Sequence, residues 1–185
     1  MLTVRRAVPM SASPMKIYPI LTIPDAVLRK EAASVERVDD DLRRLMDDML
    51  ETMYDAPGVG LAAIQVGIPK RVIVLDVAGD EDEPQPLFMA NPKIVWLGDA
   101  MRMHEEGCLS IPSVHVEIER PADVTVQYVD RDGAEQELVA DGLLATAVQH
   151  EIDHLDGKLI IDFLSRLKRD IIIRKFKKQQ RPASV

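Results

Sequence analysis

The chain has 185 residues and a formal net charge of −8, which suit one domain with a sizeable core. Its one cysteine excludes an internal disulfide and fits a reducing compartment. No apolar run approaches the roughly 18 residues of a membrane span. Residues 1–14 lack signal-peptide anatomy, so we expect a loose N-terminal extension before a single domain over residues 15–185. We expect a cytoplasmic monomer, with an organellar location as the alternative.

Two helices are predicted near the start of the chain, over residues 25–33 and 39–54. The second has apolar side chains at helical spacing, which we interpret as core contacts rather than ligands. They are Leu42, Leu45, Met46, Met49, Leu50 and Met53.

A Gly-rich segment follows over residues 58–65. It does not fit a phosphate-binding loop, because no Lys-Ser/Thr pair follows it and no strand precedes it. Gly58 and Gly60 would let the backbone run close beside an extended ligand, and Gln65 offers an uncharged donor to an oxyanion. The alternative is an ordinary turn between a helix and a strand.

Strands are predicted in the middle of the chain, separated by an acidic loop over residues 79–85 and a turn over residues 130–133. The predicted strands are residues 71–77, 87–96 (broken), 114–118, 124–129 and 135–139. Strands grouped between terminal helices predict an α+β fold.

The only cysteine, Cys108, follows Glu106 and Gly107 and precedes Pro112. A lone cysteine is usually a small buried apolar residue. Here Gly107 permits a close backbone approach and Pro112 ends the local structure. Glu106 could orient a metal-binding histidine. The segment therefore offers a thiolate ligand without requiring one.

Residues 150–154 have the pattern H-E-x-x-H inside an apolar, helix-periodic segment. Residues four apart lie on one helix face, so both imidazoles can reach one metal ion, and Glu151 can act on water there. The alternative is two surface histidines that share this spacing by chance. Asp141 is the predicted N-cap of this helix, and Gly157 is predicted to end it.

A metal site with one open position needs a third protein ligand. No histidine or glutamate follows His154, and Ile160 stands where an extended peptidase motif has its last histidine. The third ligand must therefore lie upstream, where His104, His115 and Cys108 are candidates. Of these, a thiolate is the strongest ligand for a soft or borderline metal.

Three segments together resemble the peptide deformylase family, whose motifs are G-x-G-x-A-A-x-Q, E-G-C-x-S and Q-H-E-x-D-H. They match residues 58–65, 106–110 and 149–154, and the similarity extends over about residues 16–180. The resemblance implies a hydrolase that removes the N-formyl group from formyl-methionyl nascent peptides and releases formate. It also implies small mixed or antiparallel sheets packed around a central metal-binding helix.

The resemblance implies a role for each matching residue. Cys108, His150 and His154 would hold one divalent metal, with iron(II) as the native ion and zinc, nickel or cobalt also accepted. The implied catalytic residues are Glu151 as the proton carrier, and Gln65 and the Leu109 N–H at the oxyanion. Glu106 and Arg120 are implied to orient a ligand histidine. The implied substrate-binding residues are Gly58, Val59, Gly60 and His115, the last standing where some relatives carry arginine.

The end of the chain is strongly basic. A helix is predicted over residues 163–179, and residues 166–181 carry eight basic side chains against one acid, Asp170. A basic helix on an acidic protein suggests an anionic partner. For an enzyme that acts on nascent chains, that partner would be the ribosome near its exit tunnel. The alternative is a solvated helix face.

Two other functions share parts of this pattern. A metallopeptidase with the H-E-x-x-H motif would use Glu151 and the metal, but it should carry a ligand downstream. A catalytically inactive deformylase-like binding protein would be expected to lack Glu151 or Gln65, and both are present.

Overall fold

The computed structural model describes residues 15–79 and 82–179. The expected extension over residues 1–14 and positions 180 and 181 of the expected basic helix lie outside these residues. The described residues form strands and α-helices in an α+β fold, as the sequence predicts. No helix in these two spans is both long and apolar enough to cross a lipid bilayer.

The α-helices of the described residues are α1 (Asp40–Asp55), α2 (Gly142–Leu155) and α3 (Arg166–Gln179). Helix α1 begins one residue after the predicted start, because Asp39 is its N-cap and its side chain accepts a hydrogen bond from the Leu42 N–H at 3.0 Å. The last helix is shorter than predicted, since Ile160–Phe163 forms a separate 3₁₀ turn before α3.

The prediction of a helix over residues 25–33 is wrong. Only Ala26–Arg29 is helical, as a 3₁₀ turn. The Ala32 N–H donates to the Leu155 carbonyl at 2.8 Å, and the Ala33 N–H donates to the Pro69 carbonyl at 2.9 Å. Because these amides bond to distant parts of the chain, they cannot continue a helix.

The strands form two antiparallel sheets. They are β1 (Gly60–Ala62), β2 (Val72–Leu75), β3 (Leu87–Leu97), β4 (Met101–Gly107), β5 (His115–Pro121), β6 (Val124–Val129) and β7 (Glu135–Ala140). One sheet has the order β1-β2-β3-β6-β7, and the other contains β4 and β5. Among the described strands, β1 and β4 therefore each pair on one side only.

Three strands differ from the sequence prediction. Strand β1 lies in the Gly-rich segment, where no strand is predicted. Strand β3 is continuous rather than broken, with register shifts against β6 on either side of Lys93–Ile94 that act as bulges. Strand β4 was not predicted, because six of its seven residues are exposed and it lacks apolar alternation.

The five-stranded sheet is covered on both faces. Val72 and Val74 of β2 pack with the methionines of α1, which are core residues as predicted. Ile73, between them, points to the opposite face and packs with the buried side of α2. A third cluster of buried apolar residues joins β5 to the 3₁₀ turn Ile160–Phe163 and to Phe176 of α3. Helix α2 is thus central, as the resemblance implied.

Asp141 and Gly157 are the residues predicted to lie at the two ends of α2. Asp141 is the N-cap residue of α2, as predicted, although its side chain makes no capping hydrogen bond. Gly157 follows the last turn with φ of +70°, as expected for a residue that ends a helix. A Cβ atom at Gly157 would lie 2.7 Å from the Arg29 carbonyl oxygen, so the close approach also requires glycine.

Candidate functional site

Helix α2 directs His150 and His154 towards Cys108, which lies in the turn after β4. One ligand atom from each of these residues lies within 4.8 Å of the others. The Cys108 Sγ atom is 3.2 Å from the His154 Nε2 atom. Within the described spans, this is the cluster of histidine, cysteine and acidic side chains that could hold a metal ion. A thiolate and two imidazoles suit a divalent transition metal.

Glu106 determines which nitrogen of His150 is available. Its carboxylate lies 2.9 Å from His150 Nδ1, which leaves Nε2 for another partner. Arg120 bonds to both oxygens of Glu106 and also to Asp153 at 2.8 Å. Burial alone would raise the pKa of Glu106, but the contacts with His150 and Arg120 outweigh it and lower that pKa. Glu106 is therefore held as a carboxylate.

The two histidines have opposite electrostatic surroundings. Burial alone would lower the pKa of His150, but contacts with Cys108 and Glu106 outweigh it and raise that pKa well above its ordinary value. Burial, together with the nearby His150 and Arg120, lowers the pKa of His154 well below its ordinary value. His154 is therefore held neutral, the form in which imidazole binds a metal.

Two buried polar atoms of the site lack a hydrogen-bond partner among the described residues, Glu151 Oε2 and His154 Nδ1. Such atoms are rare in folded proteins, because leaving one unpaired costs about 1–3 kcal/mol. Burial raises the pKa of Glu151 to about 7. An unpaired carboxylate oxygen could bond to a water molecule held by a metal ion at the neighbouring Cys-His-His cluster. These residues therefore suit the metal that the sequence predicts.

Gln65 lies in the 3₁₀ turn Ala63–Val66 that follows β1. Its Oε1 atom accepts a hydrogen bond from the Ala62 N–H at 2.8 Å. Its Nε2 atom donates to Ser110 Oγ at 3.1 Å and lies 3.9 Å from Cys108 Sγ. The carbonyl end of the amide is thus engaged with backbone, which turns the NH₂ group towards the cysteine.

Gly60 provides the space that Glu151 occupies. A Cβ atom on Gly60 would lie 2.9 Å from Glu151 Cδ, closer than real Cβ contacts. Gly58 is similarly covered by Leu109, whose Cδ1 atom would lie 2.8 Å from an added Cβ. The two glycines thus bring β1 and the residue two positions before it close to Glu151 and Leu109.

A cavity of about 450 Å³ contains the site. It is bordered by β1, by the end of β4 and by α2, and the side chains of Cys108, Gln65, Glu151 and His150 line it. Val59 and His115 lie at its exposed rim, and Leu109 is half-buried in its wall. All the substrate-binding residues expected from the sequence therefore lie along this cavity.

The structure distinguishes among the three upstream candidates for the third metal ligand. His104 and His115 line the cavity but are exposed, and neither belongs to the metal-ligand cluster that contains Cys108. Two contacts were not anticipated from the sequence, those of Ser110 with Gln65 and of Asp153 with Arg120. Both residues occur in the quoted motifs, but only the fold brings their partners beside them.

Comparisons with known proteins agree with this geometry. The sequence model of the family described as polypeptide deformylase matches residues 17–170. The chain belongs to the polypeptide deformylase family. A peptide deformylase of Rhizobium meliloti (strain 1021) is 59% identical over 164 residues, covering 89% of this chain and 94% of the relative. One of Agrobacterium fabrum (strain C58) is 57% identical over 167 residues, covering 90% and 98%.

Solved structures of deformylases share the fold. The crystal structure of the Ehrlichia chaffeensis peptide deformylase in complex with actinonin has a TM-score of 0.86 and 43% identity, covering 91% of this chain and 100% of that one. The Synechococcus elongatus peptide deformylase, also in complex with actinonin, has a TM-score of 0.82 and 42% identity, covering 95% and 100%. These likenesses favour a deformylase over a general metallopeptidase or an inactive binding protein.

Proposed function

We propose that this chain removes the formyl group from the formyl-methionyl end of nascent peptides, releasing formate and a free amine. The observation that carries the proposal is the buried Glu151 carboxylate, whose Oε2 atom has no hydrogen-bond partner among the described residues. It lies beside the Cys108–His150–His154 cluster and lines the same cavity as Cys108 and His150. Membership of the polypeptide deformylase family supports the same activity. It also supports a metal-dependent reaction.

We propose that Cys108 Sγ, His150 Nε2 and His154 hold one divalent metal ion. The ion would act as a Lewis acid and make water a better nucleophile at neutral pH. Iron(II) is the proposed native ion, with zinc, nickel and cobalt as alternatives, because a thiolate with two imidazoles suits several of these metals. Glu106 would orient His150 through Nδ1, and Arg120 would hold Glu106 in place.

Glu151 would transfer the proton that hydrolysis requires. As water attacks the formyl carbon, the Glu151 carboxylate accepts a proton from the water. When the carbon–nitrogen bond breaks, the carboxylic acid returns that proton to the departing nitrogen. The products are the amine and formic acid, which loses its remaining proton to become formate at neutral pH, and Glu151 is a carboxylate again. The raised pKa of about 7 suits a group that must both take and give a proton near neutral pH.

Gln65 and the Leu109 N–H would stabilise the oxyanion of the tetrahedral intermediate. The Gln65 NH₂ group is directed towards Cys108, because its carbonyl oxygen accepts the Ala62 N–H. Leu109 follows Cys108 directly and lines the same cavity. Donors fixed before the reaction stabilise charge that develops only during it.

The substrate backbone would bind as an extended strand along the cavity. Strand β1 pairs only with β2 and strand β4 only with β5 among the described strands, so both present an unpaired edge. The Gly58–Val59–Gly60 segment would bond to the peptide from one side. His115 would contact a later residue of the peptide at the rim, where it is exposed.

Helix α3 is the proposed contact with the ribosome near its exit tunnel. Phe176 packs into the third core cluster, while Arg174, Lys175, Lys177 and Lys178 are exposed. Basic side chains held on one docked helix suit phosphate-rich RNA. We further propose that the protein acts as a cytoplasmic monomer.

The decisive test measures formate release from formyl-Met-Ala-Ser by protein purified without oxygen, with the bound metal assayed in parallel. We expect release from this peptide and none from acetyl-Met-Ala-Ser, with inhibition by actinonin. An exposed-glutamate variant, Glu36→Gln, is the matched control for Glu151→Gln and should behave like the parent. Cleavage of internal peptide bonds, or no formate from metal-loaded protein, would contradict the proposal.

A further inference from the structure

Arg120 lies at the end of the buried face of β5. Side chains alternate along a strand, so Val116, Ile118 and Arg120 point to the same side. Val116 and Ile118 pack with the first residues of the 3₁₀ turn Ile160–Phe163. Arg120, at the next position on this face, is only 7% exposed. A guanidinium group therefore occupies a position where the strand pattern would place an apolar side chain.

Each of the three nitrogen atoms of this guanidinium group is engaged at its edge. Nε and Nη2 each donate to one oxygen of Glu106, and Nη1 donates to Asp153 at 2.8 Å. Because a guanidinium group is planar and donates in its own plane, its two faces are left for other contacts. Glu106 in turn contacts His150 Nδ1 at 2.9 Å. Contacts on the faces of Arg120 therefore bear on a proposed metal ligand.

Phe163 provides such a contact. Arg120 Cζ lies 5.0 Å from the centre of the Phe163 ring, which is within the range of a cation–π interaction. Phe163 is 49% exposed, whereas Ile160 and Ile161 of the same turn are buried. It is also not among the apolar side chains that pack into the core clusters of the described residues. Core packing therefore does not account for the position of this ring, whereas contact with the guanidinium group does.

We propose that Phe163 is a positioning residue that holds Arg120 on Glu106 and thereby slows the loss of metal from His150. This inference rests on the proposed metal site. An ion pair weakens where water and salt can reach it, because the charges are then better screened. The Phe163 ring keeps water from one face of Arg120, and the negative face of the ring attracts the cation. Glu106 then keeps its partner, and His150 keeps its orientation.

The test measures how fast zinc-loaded protein releases its metal to an excess of a chromogenic chelator at neutral pH. Phe163→Leu keeps an apolar side chain but removes the face of the ring. Loss of a direct partner of a ligand histidine weakens metal binding by roughly 10–100-fold, and Phe163 acts two contacts further out. We therefore expect Phe163→Leu to release zinc about three- to tenfold faster than the parent. Phe163→Tyr and Phe163→Trp keep an aromatic face and should release zinc at close to the parental rate.

Phe88→Leu is the matched control. Arg131 Cζ lies 5.8 Å from the centre of the Phe88 ring, and Arg131 bonds to both oxygens of Asp47. The same substitution is thus made beside the same kind of ion pair, at a residue of β3 that is not among the described residues lining the cavity. Phe88→Leu should release zinc at the parental rate even if its melting temperature falls. Thermal unfolding of every variant separates stability from metal release.

The possible outcomes separate this inference from the proposed metal site. Release from Phe163→Leu at the parental rate would overturn the inference alone. Equally fast release from Phe163→Tyr and Phe163→Trp would show that the aromatic face is not the cause, and equally fast release from Phe88→Leu would show a general loss of stability. Either result would also overturn the inference. If the parent bound no zinc, the proposed metal site and this inference would fail together.

Discussion

Single residues determine which atoms of the site remain available for chemistry. Glu106 engages Nδ1 of His150, and the Ala62 N–H engages the carbonyl oxygen of Gln65. Each contact orients a planar group so that its other end is directed into the cavity. The site therefore depends as much on these supporting contacts as on the side chains that would meet substrate.

Replacing Glu151 with glutamine should separate proton transfer from metal binding. The amide preserves the shape but cannot carry the proton, so turnover should fall by about 10²–10⁴-fold. Metal content should be nearly unchanged, because Glu151 is outside the Cys108–His150–His154 cluster. Steady-state kinetics with metal analysis measure both effects. Loss of the metal in Glu151→Gln would instead make Glu151 a ligand.

Gln65→Leu should mainly slow turnover. The amide would donate to charge that exists chiefly in the transition state, so kcat should drop by about 10²–10³-fold with a small change in KM. Leucine also leaves the Ala62 N–H without its acceptor, so thermal unfolding must be measured beside the kinetics. A large rise in KM with normal kcat would show that Gln65 binds the ground state instead.

Cys108→Ser should weaken metal retention. A hydroxyl is a poor replacement for a thiolate on a divalent transition metal, so the metal content after dialysis at neutral pH should fall well below that of the parent. Metal analysis needs no activity assay and therefore tests the ligand directly. Full retention of the metal by Cys108→Ser would show that Cys108 is not a ligand. His104 or His115 would then be the candidate for the third ligand.

At the scale of elements, one carboxylate joins three parts of the chain. Asp162, in the 3₁₀ turn Ile160–Phe163, accepts hydrogen bonds from Arg29 Nη2 at 3.0 Å and from the Leu159 N–H at 2.9 Å. Arg169 of α3 lies 3.7 Å from the same side chain. Burial alone would raise the pKa of Asp162, but Arg29 and the Leu159 N–H outweigh it and lower that pKa.

Asp162→Asn should therefore destabilise the protein in a pH-dependent way. A carboxyl group with a lowered pKa stabilises the fold above its unfolded pKa, about 3.9, and loses that contribution as pH falls through the folded pKa. The variant's melting temperature should be lower by about 2–4 °C at pH 7, with the gap closing towards pH 3. Asp99→Asn, at an exposed position, is the control. An equal gap at both pH values would contradict this role.

At the scale of the whole molecule, charge is distributed unevenly. The chain is acidic overall, yet α3 is basic and is attached to the core through Phe176 and the half-buried Ile172 and Ile173. The helix is thus fixed relative to the cavity rather than being a free tail.

Charge reversal on α3 should abolish ribosome co-sedimentation at low salt while activity on short formyl peptides survives. The variant replaces Arg174, Lys175, Lys177 and Lys178 with glutamate, which spares the apolar face of the helix. Contacts to phosphate weaken steeply with salt, so the parent's binding should also fall as salt rises. The control variant reverses exposed charges elsewhere, at Lys30, Arg37, Lys70 and Lys93. Unchanged co-sedimentation would show that α3 is a solvated helix.

The sequence by itself determined the features that depend on local spacing. A four-residue separation on a helix predicts that His150 and His154 share a face, and apolar periodicity predicted α1 and its buried methionines. The α+β class followed from the order of the predicted elements, and the family followed from the resemblance of three motifs to those of known deformylases. Strand β4 was missed because exposure removes the alternation that marks a half-buried strand.

The tertiary structure decided what depends on residues far apart in the chain. Three upstream residues could each have been the third ligand by sequence, and only the fold brings Cys108, just after β4, within reach of the histidines of α2. Glu106 at the end of β4 contacts His150 at 2.9 Å. The segment over residues 25–33 has a helical pattern, yet its amides bond to Leu155 and Pro69 instead. Local pattern fixes which conformations are favourable, but long-range contacts choose among them because they satisfy the buried polar groups.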